Sequence, residues 1–332
     1  MDNIDAISYL AQAEARRFRP IRDTSEVLEL AEAGRALPYI EVTRSQEGRL
    51  VARGYGHEGH DNEPRMAFMC DFFERKVLPM VDPDVDVKGV YRIELHDSYS
   101  YLAAGTREAH ANSLGFARPQ GVRDGVATIP DPYHIADFGG ILSIPDNVPW
   151  SSKMPLMFFA GSTTGAKTPA ENERIRACVW SLEHRSVAHF LVTNIVQMDP
   201  ATALRDVPSL KYALHAPVAV QDHFNYKYQV NIAGNTACWS RVPMILASSC
   251  LMFNLRQQDV MWYYPALRDG DHFLGADDFD DLLQKRAFCT QNDKTCQRIV
   301  ANANSFVENF LRPRHATSYT VQLLENAAYL NT

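Results

Sequence analysis

The chain has 332 residues, 46% of them apolar and 22% charged, so it is long enough for two globular domains with sizeable cores. Its formal net charge is −7 and it contains no run of lysine or arginine, which excludes the concentrated basic surface that nucleic-acid binding needs. The start lacks the basic and apolar regions of a signal peptide, and no apolar run approaches the ~20 residues of a membrane span. We therefore expect a cytoplasmic protein with no nucleic-acid partner. Its six cysteines include no CxxC pair and are expected to be reduced and mostly buried.

The N-terminal part of the sequence predicts helices and one hairpin. Residues 1–35 have helical periodicity, interrupted near Thr24, which can cap the second helix of this stretch. Residues 37–56 alternate as a hairpin that turns at Gln46–Gly48. A long amphipathic helix is predicted to follow and to end near Pro79.

The next predicted strand, over residues 90–95, delivers His96 and Asp97 at its carboxyl end. In open α/β sheets this end faces the ligand crevice, and an isolated carboxylate there can accept a proton from an incoming hydroxyl. Asp97 is therefore a candidate catalytic base, with an ordinary surface carboxylate as the alternative. The stretch that leads to Trp150 is rich in Pro, Gly and Asp and predicts a domain junction near that residue.

The second half of the chain alternates strands and helices, which indicates a parallel sheet. A buried strand in LMFFAGSTTG opens it, the helix NERIRACVWSLEH follows, and CLMFN and HFLGA are further strands. We expect an N-terminal domain over residues 1–150 and a second domain over 151–315. The last helix, 316–332, is expected to pack back on the first domain.

Two loops of this second domain have the composition of a phosphate site. One follows a predicted strand, turns sharply at Gly234 and enters a helix from about Thr236, so that backbone N–H groups and a helix dipole converge. The other combines the hydroxyls of Ser162 and Thr163 with the cation of Arg174. An ordinary strand–helix junction and a solvated arginine are the alternatives.

Three further motifs are weaker. Gly54–Gly59 spells GxGxxG, but the polar, Pro-broken sequence after it does not open the tightly packed helix of a dinucleotide-binding fold. His57 and His60 are three apart in a Gly-rich loop, whereas zinc-binding histidines on a helix are four apart. Asp82 and Asp84 form a DxD pattern, through which a divalent metal could hold a diphosphate; an ordinary acidic loop is the alternative.

Taken together, these segments resemble glycosyltransferase family 90, which groups fungal capsule-associated proteins, bacterial lipopolysaccharide glycosyltransferases and animal protein O-glucosyl- and xylosyltransferases. FFAGSTTG…NERIR looks like the family's FRGxTTG…RxR, and KYQVNIAGNTACWSRVPMILASSC looks like its KYxxxxDGNT segment. MWYYPALRDGDHFLGADDFDDLL is similar to the family's EW(F/Y)YPAL segment, and HDSYS to the motif that carries its catalytic aspartate. The four motifs occur in the family's order.

The resemblance implies an α/β protein of GT-B architecture, with two Rossmann-like domains facing across a cleft and the donor in the C-terminal one. It implies inverting transfer from a UDP-sugar, with no metal and no other cofactor, and Asp97 as the base. The implied donor-binding residues are Ser162, Thr163, Arg174, Gly234, Asn235, Thr236, Ala237, Cys238, Arg241 and, in a sugar-facing loop, Asp137 and Phe138.

Three positions depart from the family's pattern. Ala160 replaces a usual Arg, Ala233 a common Asp, and Met261 a Glu of the kind that commonly holds the nucleotide ribose in GT-B enzymes. We predict a bacterial-type transferase that moves a hexose or xylose to a hydroxyl of a glycan or lipid-linked glycan, such as lipopolysaccharide or capsule, at the inner face of a membrane. The alternatives are a metal-dependent GT-A enzyme using Asp82 and Asp84, and a non-catalytic nucleotide-sugar or glycan-binding protein.

Overall fold

The computed structural model of the chain describes residues 3–22, 38–56, 58, 62–97, 112–121 and 125–330. The second helix predicted within residues 1–35 lies outside the described residues, as do His57 and His60 of the weak zinc motif. Among the described helices, none combines the length and the apolar character that crossing a bilayer requires.

The chain divides into two units, and one of them is discontinuous in sequence. Unit 1 consists of Met1–Asp137, Asp259–Ala266 and Phe310–Thr332, and unit 2 consists of Phe138–Gln258 and Leu267–Asn309. The described strands are β1 Tyr39–Arg44, β2 Leu50–Tyr55, β3 Gly89–Arg92, β4 Ser113–Gly115, β5 Arg118–Pro119, β6 Val126–Thr128, β7 Met154–Ser162, β8 Ala188–Asn194, β9 Tyr226–Asn231, β10 Leu251–Leu255, β11 Asp259–Val260 and β12 Leu274–Ala276.

The described α-helices are α1 Asn3–Ala15, α2 Glu63–Phe72, α3 Pro132–Ile135, α4 Glu173–Glu183, α5 Pro200–Asp206, α6 Val220–His223, α7 Arg241–Ala247, α8 Phe279–Gln291, α9 Asp293–Phe306 and α10 Pro313–Leu330. A π-helical turn at Phe73–Val77 and a 3-10 turn at Leu78–Met80 continue α2, so the long helix predicted to end near Pro79 is confirmed. A second π-helical turn, Val307–Leu311, precedes α10.

Unit 1 contains a three-stranded antiparallel sheet, β2-β1-β3, and two short strand pairs, the parallel β4–β6 and the antiparallel β5–β11. The predicted hairpin is confirmed: β1 and β2 pair antiparallel, because a four-residue turn closed at Gly48 is too short for a parallel crossover. β3 also pairs antiparallel with β1, and a parallel bridge from Ile93 to Leu114 links it to the parallel pair β4–β6. Helix α10 packs against α1 within this unit.

Unit 2 is built on a five-stranded parallel sheet in the order β12-β10-β9-β7-β8. Both faces of β7 are covered: Met157 and Phe159 belong to one core cluster, and Phe158 and Ala160 to another. This burial on two sides explains the continuous apolar run of β7, as expected for a parallel strand between helical layers. The α/β fold class and a Rossmann-like sheet in the second half are thereby confirmed.

The predicted boundary at residue 150 differs from the observed one. The first stretch of unit 1 ends at Asp137, and the Pro-rich segment after it belongs to unit 2. The reason is the Asp146 carboxylate, which pairs with Lys153 at 2.8 Å and accepts hydrogen bonds from the backbone and hydroxyl of Ser249. These bonds tie the segment to the sheet that follows it in sequence.

Candidate active site

The carboxyl edge of the unit 2 sheet contains a topological switch point. β7 is hydrogen-bonded to β8 on one side and to β9 on the other, so the chain leaves β8 and crosses back over β7 to start β9. Loops at such a point diverge and leave a crevice, where open α/β sheets bind their ligands. The two loops predicted to hold phosphate follow β7 and β9, and this topology places them side by side.

Arg174, at the start of α4, connects these two loops. Its Nη1 donates to the carbonyl of Ser162, the last residue of β7, at 3.1 Å and to the hydroxyl of Thr164 in the loop after it. Its Nε and Nη2 donate to the carbonyls of Ile232 and Ala233, after β9, at 3.0–3.3 Å. Only 7% of the residue is exposed. Arg174 therefore holds the loops after β7 and β9 together, and its charge is buried beneath them.

Gly234 is required here by close packing. Its φ lies outside the left-handed region, so the sharp turn predicted at this glycine is not the reason for it. A Cβ at this position would lie 2.6 Å from the Thr164 hydroxyl and 2.9 Å from Nη2 of Arg174. Any side chain at residue 234 would therefore displace the guanidinium that joins the two loops.

A second guanidinium, that of Arg241, lies beside the first. Both stack on the ring of Phe159, with the Arg241 Cζ 4.6 Å and the Arg174 Cζ 5.8 Å from its centre. The Cys238 thiol accepts a hydrogen bond from Arg174 at 3.3 Å. Burial and the neighbouring Arg174 lower the pKa of Arg241 to about 10, which still leaves it charged at neutral pH. Among the described residues, no carboxylate lies within salt-bridge distance of either guanidinium, although several lysines and arginines elsewhere in the chain are paired with carboxylates.

The two arginines differ in what they can do. Arg174 donates to five different protein acceptors, whereas half-buried Arg241 bonds to two, the Ala160 carbonyl at 2.8 Å and the Cys238 side chain. Arg241 is thus the better placed of the two to contact an anion directly. The sequence pattern predicts a phosphate site at Ser162, Thr163 and Arg174, because it does not reveal how many of the Arg174 donors the two loops use.

The predicted role of Thr163 is wrong. Its side chain is fully buried, where its hydroxyl donates to the Val196 carbonyl at 2.9 Å and accepts from the Val196 N–H at 2.8 Å. The hydroxyl beside Arg174 belongs to the next residue, Thr164, which sequence reasoning missed. It also missed Asn172, whose Oδ1 caps α4 and whose Nδ2 holds the carbonyls of Thr163 and Ala166.

The helix after Gly234 starts later than predicted. It begins at Arg241 and not near Thr236, and the Gly234 N–H donates to the Thr236 carbonyl at 3.1 Å within the loop. Helix-terminal N–H groups therefore do not converge at Gly234. Thr236 and Ala237 are buried, while Asn235 and Cys238 are half-buried, so the loop presents these last two.

Asp97 lies in unit 1, five residues after the end of β3 at Arg92. Its Oδ1 accepts a hydrogen bond from Nη2 of Arg65 at 2.9 Å, and 31% of its side chain is exposed. The same guanidinium donates through Nη1 to the Leu95 carbonyl at 2.6 Å. His96, beside it, is bonded to the buried Glu94 carboxylate and so cannot be read as an isolated base.

A second, fully buried carboxyl lies in the field of Arg65. Asp131 caps α3 by accepting the N–H groups of Tyr133 and His134 at Oδ1, while its Oδ2 has no hydrogen-bond partner. Burial raises the pKa of Asp131 to about 7, and these two bonds and Arg65 oppose that rise. The buried site therefore favours the protonated form of Asp131 well above the usual pH range of a carboxyl.

The predicted sugar-facing loop has an unusual backbone. Asp137 and Phe138 have φ values of 53° and 50°, and the next two residues, Gly139 and Gly140, are also left-handed. The Asp137 Oδ1 is buried without a hydrogen-bond partner. Strain of this kind costs of order 1–3 kcal/mol per non-glycine residue and is concentrated at functional sites.

The DxD motif has a local structural role. The Oδ1 of Asp82 accepts the Asp84 N–H at 2.9 Å, and the Asp82 N–H donates to Glu325 at 2.8 Å. Within the described part of the chain, no group of three or more His, Cys, Asp or Glu side chains has the arrangement of a metal site. The Met261 side chain, where the family has Glu, is fully buried in unit 1 and fills space in its core.

The parallel sheet and its switch point define an α/β protein whose ligand crevice is expected at the carboxyl edge of the sheet. The family model of Glycosyl transferase family 90 matches residues 139–332, more than half of the sequence. The chain belongs to glycosyl transferase family 90.

Comparison with individual proteins gives similarity at low identity. The chain is 28% identical to human Protein O-glucosyltransferase 3 over 32% of its own length and 21% of that protein, so it spans about a fifth of this relative. It is 23% identical to O-glucosyltransferase rumi of Drosophila melanogaster over 82% of its length and 67% of that protein. Both relatives are animal proteins, and the bacterial type of member stays a prediction. Among solved structures, Anabaena Alr3699/HepE in complex with UDP is 8% identical, with a TM-score of 0.37 over 80% of this chain and 68% of that one.

Proposed function

We propose that this protein is an inverting glycosyltransferase that moves a hexose or xylose from a UDP-sugar to a hydroxyl group of an acceptor. The observation that carries the proposal is the pair of guanidiniums at the switch point of the unit 2 sheet, without a carboxylate partner among the described residues. Two positive charges that no described carboxylate pairs with at salt-bridge distance call for an anion of similar charge, and a diphosphate supplies it. The names of the O-glucosyltransferase relatives support the choice of a sugar nucleotide.

In the proposed reaction, the acceptor oxygen attacks the anomeric carbon on the face opposite the nucleotide. The bond from that carbon to the diphosphate oxygen breaks, and Asp97 takes the proton of the acceptor hydroxyl. Deprotonation is late and concerted with attack, because a carboxylate is a far weaker base than an alkoxide. Arg241 contacts the departing diphosphate, and Arg174 adds its charge and keeps the two loops in place.

The proposed reaction needs no metal ion, because the two guanidiniums supply the positive charge that a divalent cation supplies in other transferases. Activity that survives EDTA would support this, and strict Mn²⁺ dependence would favour the GT-A alternative with Asp82 and Asp84. The acceptor is proposed to be a glycan or lipid-linked glycan, on the cytoplasmic side of a membrane.

The test uses UDP binding by calorimetry and UDP release from UDP-glucose, UDP-xylose and UDP-galactose, with water as the acceptor where no other is supplied. Arg241→Gln should weaken UDP binding at least ~tenfold, as expected for loss of a charged hydrogen bond. Asp97→Asn should lower UDP release by at least ~100-fold with UDP binding unchanged, because it removes only the base.

Two results would contradict the proposal. Normal UDP affinity in Arg241→Gln would contradict the assignment of Arg241 to the diphosphate site. Near-normal UDP release in Asp97→Asn would contradict the assignment of Asp97 as the base. Tight UDP binding by the unaltered protein with no release from any donor would favour a non-catalytic nucleotide-sugar-binding protein.

A further inference from the structure

Arg65 links the first turn of α2 to the end of the segment that follows β3. Nη1 donates to the Leu95 carbonyl at 2.6 Å and Nη2 donates to Asp97 Oδ1 at 2.9 Å. The Leu95 carbonyl and the Asp97 carboxylate therefore both bind the same planar guanidinium, and only 23% of the arginine side chain is exposed. No motif singled out in the sequence contains this residue.

The two bonds of Arg65 constrain the carboxylate in a way that one bond would not. A guanidinium is rigid and planar, so the direction from Nη1 to the Leu95 carbonyl fixes the direction in which Nη2 points. The Asp97 carboxylate must then lie in one place relative to the backbone two residues before it. A carboxylate on a loop would otherwise sample several rotamers.

The base of the Arg65 side chain is also fixed. The backbone N–H of Arg65 donates to the Asn62 carbonyl at 3.0 Å, and the neighbouring helical residues Met66 and Met69 are fully buried. The helix supports the guanidinium, and the guanidinium supports the carboxylate. Sites supported by a helix in this way hold their geometry better than sites on loops.

We infer that Arg65 is a positioning residue for Asp97: it holds the carboxylate in the orientation in which Asp97 accepts the proton of the acceptor hydroxyl. This inference rests on the proposed function, in which Asp97 is the base. The effect of Arg65 is on turnover and passes through Asp97. It leaves the binding of UDP unchanged, because Arg174 and Arg241, the residues proposed to contact the diphosphate, belong to unit 2.

The variants Arg65→Gln and Arg65→Lys separate positioning from stability. Arg65→Gln should lower kcat for UDP release at least ~tenfold, since small misplacements of a catalytic group cost up to about 100-fold, with KM for the donor and Kd for UDP unchanged. Arg65→Lys keeps a donor for Asp97 but cannot reach both Asp97 and the Leu95 carbonyl. Its kcat should lie between those of the unaltered protein and Arg65→Gln. Arg75→Gln, which removes an exposed arginine paired with Asp71 on the same helical run, is the matched control and should behave as the unaltered protein.

A double mutant tests whether the effect passes through Asp97. In an Asp97→Asn background, Arg65→Gln should cause no further loss, because residues that act as a unit are not additive. A further ~tenfold loss in that background, or equal losses in Arg65→Gln and Arg75→Gln, would overturn the inference.

The proposed function and the inference fail in different ways. Normal turnover in Asp97→Asn would end the assignment of the base, whereas normal turnover in Arg65→Gln with a defective Asp97→Asn would end only the role of Arg65. A readout without turnover is a crystal structure of Arg65→Gln, in which the Asp97 carboxylate should occupy more than one rotamer. A single unchanged rotamer would also overturn the inference.

Discussion

At the scale of single residues, the space around position 234 is too small for any side chain, so only glycine fits there. The Cα of Gly234 lies against the Arg174 guanidinium and the Thr164 hydroxyl, and there is no space for a methyl group between them. The turn sequence around this glycine suggested backbone freedom as the reason for it. The structure assigns it to packing against a charged group instead.

We expect Gly234→Ala to weaken UDP binding at least ~tenfold, because the new Cβ pushes Arg174 away from the two loops that it joins. Calorimetry with UDP measures the change. Gly270→Ala is the matched control: its φ of 77° makes alanine strained, but nothing lies within 4 Å of the new Cβ. Both variants should lose stability, and only Gly234→Ala should lose affinity. Equal UDP affinity in the two variants would contradict the role of this packing.

At the scale of secondary-structure elements, the short helix α3 depends on a buried cap. Asp131 accepts the first two N–H groups of the helix, at 2.9 and 3.1 Å, from a site where no part of its side chain is exposed. Burial raises the pKa of this carboxyl to about 7, above the value of an unfolded chain. The folded protein therefore binds this proton more tightly than the unfolded protein does.

The sign of the pH effect follows from this difference. The contribution of Asp131 to stability is fully present below pH ~4, where the carboxyl is protonated in both states, and it is lost as the pH rises through about 7. Asp131→Asn keeps the cap oxygen and removes the charge. The unfolding free energy of the variant should fall less between pH 4 and pH 7, by up to ~1.4 kcal/mol per pH unit, as measured by urea denaturation. The same pH slope in both proteins would show that Asp131 does not titrate in this range.

At the scale of the whole molecule, unit 1 is assembled from three separate parts of the sequence, and Trp262 is where they meet. Its fully buried ring lies 5.5 Å from the ring of Phe310, 4.6 Å from Tyr319 and 5.4 Å from His134. Trp262 belongs to a segment of only eight residues, Asp259–Ala266, that leaves unit 2 and returns to it. The unit is closed by packing between distant segments.

We expect Trp262→Ala to lower the unfolding free energy by about 3–5 kcal/mol, the usual cost of removing a large buried aromatic side chain. Trp180→Ala, in the helix α4 of unit 2, removes a half-buried tryptophan and should cost less. Urea denaturation followed by circular dichroism compares the two. A smaller loss in Trp262→Ala than in Trp180→Ala would show that unit 1 does not depend on this junction.

The sequence by itself determined the local structure wherever one signal dominated. The hairpin of β1 and β2, the long helix that starts at Glu63, and the alternation of strands and helices after residue 150 follow from periodicity and turn residues. The family motifs also placed the loops after β7 and β9 at one site. These features depend on neighbours in the chain, so pattern reasoning finds them.

Only the tertiary structure decided which side chains face a ligand and which hold the fold. Thr163 and Thr164 are adjacent hydroxyls of the same type, yet one is sealed against Val196 and the other lies beside Arg174. Arg65 is 32 residues from Asp97, and no sequence pattern predicts their contact. Such roles depend on how many donors and acceptors the rest of the fold has already satisfied, and that is settled only when distant segments pack together.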